Sequence, residues 1–571
     1  MFSSLVCRSS ERIVDDAVGS ELLGMISGAQ AYAYDLELEG IAYDHTLSHY
    51  SFRSGGSSGA NSTADWLVGR FQNYGLEAFK EPFQFLTWDL ISRPTLVVDD
   101  DDSLATVSDQ TTLDSFISIH CSYPTPSQGV FGDLAVLPLP SAADASEVGM
   151  NPINITEWNA VDITGKILLI GREVRSAYSW QNAFRSKLIS QPPLAVVWTW
   201  WYSWMSWIPD FSNSAEGMRM GSVLYSGLQL PVGFVNYHDG MWIRDREKTL
   251  NVSAQVKIEA IIDSGPHYNV IGKLAGSKYP DKFVIISSHY DSPGLTSAFL
   301  DNGAGTAGVL ELARVFSEAN ETRLVNPKYT ILFLPFADEE LGCVGAINFV
   351  MQHKSQMKDI VAVINLDCIG SDDFFLTKTE PGPRFDLDQV MLKAAQDLNI
   401  TATLDLGTGG DDMVFKDPVY GENMYVDWWN LTAGIADAIP VNSSIYVGSS
   451  PIFYQEKWTT GLSGYAHTSY DNSTSTATLN WVEVTDLDNQ IKIVALSLMR
   501  IVSPLLCDVN FDGTVNMRDV NLTILHFQTT SSSQNWNPDF DVTGPTPLVP
   551  DGIVNMRDIS EAIRRFNQKD L

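Results

Sequence analysis

Short apolar runs alternate with amphipathic segments between residues 266 and 504. The runs are predominantly apolar, as are strands buried on both faces of a parallel sheet, and they cover residues 283–288, 329–336 and 360–366. After the first run, apolar residues recur with helical spacing, which predicts a helix over residues 303–318. This alternation predicts an α/β fold with a doubly wound, mostly parallel sheet and flanking helices.

The pattern changes on both sides of this region and suggests four units. Residues 1–124, with a helical start and a strand, are predicted to be the N-terminal part of the α/β domain. Residues 125–265 contain short β-like runs between Pro- and Gly-rich turns, which predicts a β-rich inserted domain. Residues 266–504 form the main α/β segment. Val-Asn-Met-Arg-Asp at 515–519 recurs 39 positions later, which indicates a duplicated unit. Residues 505–571 are therefore predicted to be a separate module, small and all-α.

Charge and hydropathy narrow the classes of partner. The chain has 571 residues and a net charge of −33, which argues against nucleic acid or an anionic membrane surface as the main partner. The longest apolar run, near 194–208, is shorter than the roughly 20 residues of a membrane span, and no signal peptide is recognised at the N-terminus. Nine Asn-x-Ser/Thr sites favour, mildly, an exported glycoprotein.

Acidic and imidazole side chains follow the predicted strands at their carboxyl ends, where open parallel sheets bind ligands. Five segments deliver them: His289-Tyr-Asp291, Asp301, Glu339-Glu340, Asp367 and His467. His and carboxylate ligands without a thiolate suit zinc, and one carboxylate can bridge two ions about 3.5–4 Å apart. A carboxylate beside the ions that does not ligate them would transfer the proton of the attacking water. The Glu339-Glu340 pair can divide these two tasks.

The ordered motifs resemble those of the co-catalytic di-zinc exopeptidases, which include bacterial leucyl aminopeptidases and glutamate carboxypeptidase relatives. The motifs are His-x-Asp, Asp-Asn-Gly, Glu-Glu, Asn-x-Asp and His-Thr-x-x-Asp. The resemblance covers roughly residues 40–500, and the insert at 125–265 resembles a protease-associated domain. It implies two zinc ions and an exopeptidase active on peptides.

The resemblance also implies a role for each residue. His289 and Asp367 are expected to hold different zinc ions, Asp301 to bridge them, Glu340 to complete one ion and His467 the other. Glu339 is the expected general base, and Asp291 is expected to orient His289. Tyr465 is a candidate oxyanion donor. The segment 405–466 departs from the family pattern, so substrate specificity does not transfer.

The duplicated C-terminal segment has the spacing of calcium loops. The first loop would use oxygens of Asp508, Asn510, Asp512, Thr514 and Asp519. The second would begin at Asp539, continue through Asp541 to Asp551, Ile553 and Asp558, and bulge between 545 and 550. One or two Ca²⁺ ions are therefore expected. The module resembles dockerin modules, which implies a cohesin-like partner, although a calcium-stabilised cap without a partner is the alternative. Such a module favours an extracellular or cell-surface location.

The sequence therefore predicts an extracellular zinc aminopeptidase. Three alternatives stay open: a carboxypeptidase or dipeptidase on the same scaffold, a single-zinc glutaminyl cyclase-like transferase, and a non-catalytic receptor or scaffold protein. The intact set of five ligands argues against the last two, because a single-zinc enzyme needs fewer ligands and non-catalytic relatives usually lose some.

Overall fold

The structure is a computed structural model. It describes residues 16–44, 52–99, 110–118, 121–137, 159–171, 186–199, 229–250, 252–294, 296–371, 374–380, 385–405, 409–429, 431–449, 471–474, 482–504, 506–537, 539–545 and 550–568.

Strands in the described residues form two eight-stranded sheets. The strands are β1 (Glu77–Leu90), β2 (Thr95–Asp99), β3 (Gln110–Thr112), β4 (Ile117–Ser118), β5 (Val130–Val136), β6 (Ile167–Gly171), β7 (Ala195–Thr199), β8 (Val232–Phe234), β9 (Ser253–Lys257), β10 (Ala260–Leu274), β11 (Tyr279–His289), β12 (Tyr329–Phe336), β13 (Ile360–Leu366), β14 (Phe374–Thr377), β15 (Thr403–Asp405) and β16 (Ser444–Ser449).

Helices connect and cover these strands. They are α1 (Asp16–Met25), α2 (Gly28–Asp44), α3 (Ser58–Asn73), α4 (Tyr237–Glu247), α5 (Gly305–Glu321), α6 (Val344–His353), α7 (Leu387–Asp397), α8 (Asp411–Lys416), α9 (Pro418–Trp429), α10 (Val484–Val502), α11 (Met517–Leu525) and α12 (Met556–Arg564). One group, which includes α2, α5 and α10, packs together, and α6, α8 and α9 form a second group.

The first sheet has the order β1-β10-β12-β11-β13-β16-β14-β15. Its four central strands, β12, β11, β13 and β16, are parallel. The pair β14–β15 is also parallel, whereas β1–β10, β10–β12 and β14–β16 are antiparallel, so the sheet is mixed, with four parallel pairs out of seven. Every residue of β12 is buried, which explains its continuous apolar sequence.

The second sheet has the order β3-β2-β9-β5-β6-β7-β8-β4 and is also mixed. It draws its strands from residues 95–257. Three of them, β2, β3 and β4, precede the boundary placed at residue 125, so the sheet starts earlier in the chain than the sequence pattern indicates. Strands β1 and β10 pair antiparallel in the first sheet, and all strands of the second sheet lie between them in the sequence.

The C-terminal segment packs directly on the α/β domain. Helix α10 ends at Val502, and Cys507 already belongs to the small core of the C-terminal segment. Phe511 is fully buried and belongs to the main core, with its ring centroid 5.0 Å from that of Phe385. The carboxylate of Asp539 accepts hydrogen bonds from Lys328 Nζ (3.2 Å) and from the Tyr329 hydroxyl (2.9 Å) at the start of β12.

None of the helices in the described part of the chain combines the length and the apolar character needed to cross a membrane.

Candidate metal centre

Three neighbouring parallel strands deliver the predicted side chains to one edge of the first sheet. His289 is the last residue of β11, and Asp367 directly follows β13. The turn with Glu339 and Glu340 follows β12, whose last residue, Phe336, pairs with His289. Because the three strands are parallel and in register, their carboxyl ends coincide.

A separate irregular turn, Phe299–Ala304, brings Asp301 to the same edge. Asp471 holds this turn, because its carboxylate accepts the N–H groups of Leu300 (2.7 Å) and Asp301 (3.1 Å). The Asp301–Asn302 peptide is cis. Asn302 links the turn to β13, since its amide donates to the carbonyl of Leu366 (2.9 Å). The predicted His-Thr-x-x-Asp motif therefore supplies an anchor for Asp301 through its last residue.

The ligand atoms have the spacing of a tetrahedral metal site. His289 Nε2 lies 3.2 Å from Asp301 Oδ1 and 3.5 Å from Asp367 Oδ1, and the three groups converge within 4.8 Å. Two ligands bound to one tetrahedral zinc at about 2.0–2.1 Å lie about 3.3 Å apart. Neither ring nitrogen of His289 makes a hydrogen bond within the described residues. The imidazole and both carboxylates therefore fit one zinc ion.

This geometry corrects one expectation about the ligands. His289 and Asp367 were expected to hold different zinc ions, but their atoms converge on the same point beside Asp301. The arrangement favours one ion held by His289, Asp301 and Asp367. A second ion would share Asp301 and take Glu340. The last expected ligand, His467, and the oxyanion candidate Tyr465 lie outside the described residues.

Asp291 has a wider role than orienting a histidine. Its Oδ1 lies 3.4 Å from His289 Nδ1, on the ring side opposite the metal cluster. The same carboxylate accepts the backbone N–H groups of Glu339 (3.0 Å) and Glu340 (3.2 Å). It therefore ties the glutamate turn to the histidine ligand.

The two glutamates lie in a strongly negative environment. Glu340 is buried, and burial raises the pKa of its carboxyl, with the charges of Asp301 and Glu339 adding to the effect. Glu339 is partly exposed. Desolvation raises its pKa to about 7, the charge of His289 opposes this, and those of Asp367 and Asp301 reinforce it. Divalent cations would relieve this repulsion, so the electrostatics also fit a metal centre.

Sequence reasoning missed several residues that shape the site. Asp411, on the segment that departs from the family pattern, is fully buried, and neither of its oxygens makes a hydrogen bond in the described part of the chain. Next to it, an ideal Cβ built on Gly410 would lie 3.1 Å from Asp367 Oδ2. Cys368 and Cys343 are free thiols whose sulfurs approach Asp367 (3.2 Å) and Glu339 (3.6 Å). These two cysteines were not missed, because each follows a metal motif closely in the sequence, where buried thiols are the expected state.

The guanidinium group of Arg53 was also missed. It is fully buried and donates to the carbonyls of Tyr290 (2.9 Å), Ser297 (2.5 Å) and Ala298 (3.2 Å). It thereby joins the loop after His289 to the turn that carries Asp301. An arginine between small polar residues, as in Arg53-Ser-Gly-Gly-Ser57, gives no distinctive pattern in a single sequence.

The first predicted calcium loop is compact. Oxygens of Asp508, Asp512 and Asp519 lie close enough to hold one ion. Asp508 accepts the N–H groups of Asp512 (3.2 Å) and Gly513 (2.9 Å), and Asp519 accepts that of Val509 (2.9 Å). Asn510 and Thr514 lie in the same turn, as predicted.

The second loop has a different register from the predicted one. Here Asp541 accepts the N–H groups of Asp551 (3.2 Å) and Gly552 (2.6 Å), as Asp508 does in the first loop. Asp558 accepts those of Val542 (2.8 Å) and Thr543 (2.9 Å), in the manner of Asp519. In a calcium loop of this register, Asp541 would take the first ligand position and Thr543 the third, while Ile553 would keep the carbonyl position.

Asp539 was wrongly expected to be a calcium ligand, because its carboxylate bonds Lys328 and Tyr329 instead. Seven residues, 544–550, stand where the first loop has the single residue Phe511. The sequence carried a usable signal, since Asp541-Val542 repeats Asp508-Val509.

Comparison with known proteins agrees with this site. Residues 269–480 match the family model of peptidase family M28. A probable zinc metalloprotease of Pyrenophora teres f. teres is 35% identical over 120 residues, 20% of this chain and 24% of the relative. Carboxypeptidase Q of Xenopus laevis is 28% identical over 241 residues, 40% of this chain and 45% of the relative. The chain thus spans less than half the length of these curated relatives.

Solved structures share the fold. A zinc aminopeptidase from Bacillus subtilis superposes with a TM-score of 0.58 at 18% identity, over 84% of this chain and 96% of that one. An aminopeptidase from Aneurinibacillus sp. strain AM-1 gives a TM-score of 0.55 at 17% identity, over 85% of this chain and 96% of that one. Residues 269–480 therefore resemble peptidase family M28, and the fold of the chain resembles that of the two aminopeptidase structures.

Proposed function

We propose, from the family M28 match over residues 269–480, that this protein is a di-zinc exopeptidase that removes residues from the N-terminus of peptides. One observation carries the proposal: His289, Asp301 and Asp367 converge with tetrahedral spacing, and Glu339 lies beside them. His289 and Asp367 would hold one zinc, Asp301 would bridge, and Glu340 with His467 would hold the second.

The bound zinc ions would polarise the scissile carbonyl and lower the pKa of the attacking water. Glu339 would accept the proton of that water and return it to the departing amine. Burial raises the pKa of Glu339 to about 7, and bound cations would lower it, which favours the ionised carboxylate at neutral pH. Asp291 fixes the backbone of the Glu339–Glu340 turn, which keeps the Glu339 carboxylate directed at the reacting atoms.

Replacing Glu339 with Gln tests this mechanism, because the amide keeps the shape but cannot accept the proton. We expect two zinc ions per chain to remain by elemental analysis, while kcat falls by about 10²–10⁴-fold. Glu77→Gln is the matched control: Glu77 lies on β1 and pairs with Lys273 at the surface. Near-wild-type turnover in the Glu339 variant would refute the general-base role.

The choice of an aminopeptidase rests on how far each similarity extends. Aminopeptidase structures superpose over 84–85% of this chain, whereas carboxypeptidase Q aligns over 40% of it. A panel of aminoacyl p-nitroanilides and N-blocked dipeptides separates the two activities. Release only from the blocked dipeptides would establish a carboxypeptidase, and zinc binding without hydrolysis of either set would favour a receptor or scaffold.

The C-terminal segment is proposed to bind one or two calcium ions. Support comes from the matching hydrogen bonds of the two loops, each centred on an aspartate pair: Asp508 with Asp519, and Asp541 with Asp558. Isothermal titration of the calcium-stripped full chain tests this, with two binding events expected. No heat of binding would refute it.

An extracellular location and a cohesin-like partner complete the proposal. The millimolar calcium found outside cells would fill such loops, and the Asn-x-Ser/Thr sites are suited to glycosylation there. The apolar side chains exposed on the module, among them Ile524, Leu525 and Ile563, supply a surface for a partner. Immunodetection in the culture medium of the source cells tests the location. Detection only inside the cells would contradict it.

A further inference from the structure

His267 is a buried histidine close to, but outside, the metal cluster. It lies on β10 opposite Phe83 of β1, and only 2% of its surface is exposed. The rings of Phe83 and Phe85 flank the imidazole, with centroids 5.7 and 6.0 Å away. A polar ring in such an apolar pocket is costly unless a hydrogen bond or an ion pair compensates its lost hydration.

That compensation comes from Asp338, the residue before Glu339. His267 Nδ1 lies 2.5 Å from Asp338 Oδ2, and the aspartate is fully buried. Burial alone would lower the pKa of His267, but the Asp338 carboxylate outweighs this and holds the pKa above its usual value. The pair is thus a buried ion pair between β10 and the glutamate turn.

The backbone of Asp338 is held in an unusual conformation. Its φ is +61°, in the left-handed region that costs a non-glycine residue free energy. Its carbonyl accepts the N–H of Val344 (3.0 Å), which closes the turn at the start of α6. The interaction with His267 therefore fixes a residue whose conformation decides where the next two carboxylates point.

Two glycines pack directly against the buried pair. An ideal Cβ built on Gly55 would lie 2.3 Å from Asp338 Oδ1, and one built on Gly56 would lie 2.7 Å from the His267 ring. The same segment begins at Arg53, which clamps the loops around His289 and Asp301. The pair cannot contact a reacting peptide, so any effect on catalysis must pass through the glutamate turn.

We propose that His267 and Asp338 form a positioning pair that directs Glu339 toward the attacking water and Glu340 toward the metal. The inference rests on the proposed function. The turn is held at two points: Asp291 binds the backbone of Glu339 and Glu340 on the sheet edge, and His267 binds the side chain of Asp338 behind it. Because adjacent residues point in different directions, a twist of this turn would misplace both carboxylates together.

The test compares two substitutions at His267 in the full-length holoenzyme. His267→Phe fills the aromatic pocket but removes the ion pair with Asp338, and His267→Gln keeps a polar side chain that can donate to the Asp338 carboxylate. We expect the Phe variant to lose about 10–100-fold in kcat, the usual cost of removing a group that orients a ligand. KM should stay within about twofold, because the pair does not touch substrate. The Gln variant should recover part of kcat.

A readout independent of turnover uses the cobalt-substituted enzyme. Displacement of Glu340 should change the visible absorption of bound Co²⁺ in His267→Phe, and the Gln variant should lie nearer the wild type. The matched control is His353→Gln, since His353 pairs with Glu81 (2.6 Å) on α6 and β1, away from the cluster. It should change neither kcat nor the spectrum.

The inference is overturned if folded His267→Phe keeps wild-type kcat and the wild-type cobalt spectrum and loses only thermal stability. If the wild-type protein hydrolyses no peptide, the proposed function fails, but the cobalt spectrum still decides whether the pair positions Glu340. The two failures are therefore distinguishable.

Discussion

Phe511 should hold the C-terminal segment on the α/β domain, and its truncation to Ala should release that segment. The side chain is fully buried in the main core, against Phe385. Lys328 Nζ lies 4.7 Å from the centre of its ring. No other residue of the segment belongs to the main core among those described.

The magnitude follows from burial. Phe-to-Ala substitutions in well-packed cores cost about 3–5 kcal/mol. The described part of residues 506–568 has two small apolar clusters of its own, and a unit of this size rarely gains more than about 3–5 kcal/mol from its core. The expected loss is therefore as large as the segment's own stability, so the segment should separate and unfold before the rest of the chain.

Differential scanning calorimetry in excess calcium measures this. Phe511→Ala should show a new transition below the main one, and the connection at residues 503–506 should become sensitive to protease. Phe527→Ala is the matched control, because the same atoms are removed from a side chain that is 40% exposed, and it should not produce the new transition. A Phe511 variant that melts like the control would refute the docking argument.

Three further predictions concern the metal sites and pH. Asp471→Asn weakens the hold on the Asp301 turn, so zinc affinity should fall by about 10–100-fold in a chelator competition, and unchanged affinity would contradict the anchoring role. Asp541→Asn should abolish one calcium-binding event in titration calorimetry, whereas Asp539→Asn should keep both events and only lower the melting temperature. Loss of a binding event in Asp539→Asn but not in Asp541→Asn would support the loop that begins at Asp539. In the zinc-free protein, burial raises the pKa of Glu339 to about 7, so the folded state binds more protons than the unfolded chain above the ordinary value of 4.5. The free energy of unfolding should therefore fall as pH rises from about 4.5 to 7, and urea titrations should show a smaller fall in Glu339→Gln; an equal fall would mean that other groups cause it.

Much of the site could be predicted because several motifs stand in the sequence at the end of the strand that positions them. Strands β12 and β13 have the predicted limits, and His289 and Asp367 stand at strand ends that a parallel sheet must bring together. Helix α5 begins two residues later than expected, because the turn with Asp301 occupies 299–304.

The remaining features depend on contacts between distant segments. Arg53 joins loops more than 230 residues further along the chain, and His267 meets Asp338 only because β10 lies beside β12. The division of zinc ligands and the register of the second calcium loop were wrong for a related reason: spacing in the sequence does not fix which atoms share an ion. Only the hydrogen bonds of Asp541 and Asp558 settle the second loop.

The direct docking of the C-terminal segment has a mechanical consequence. When a docking module is joined by a long flexible linker, the enzyme can reach substrates throughout a volume around its attachment point. Here only a few residues separate α10 from the segment, and Phe511 and Asp539 fix it from two sides. A partner that binds the exposed Ile524, Leu525 and Ile563 would hold the metal centre at a fixed distance and orientation relative to that partner. The geometry of attachment would then determine which peptide ends can enter.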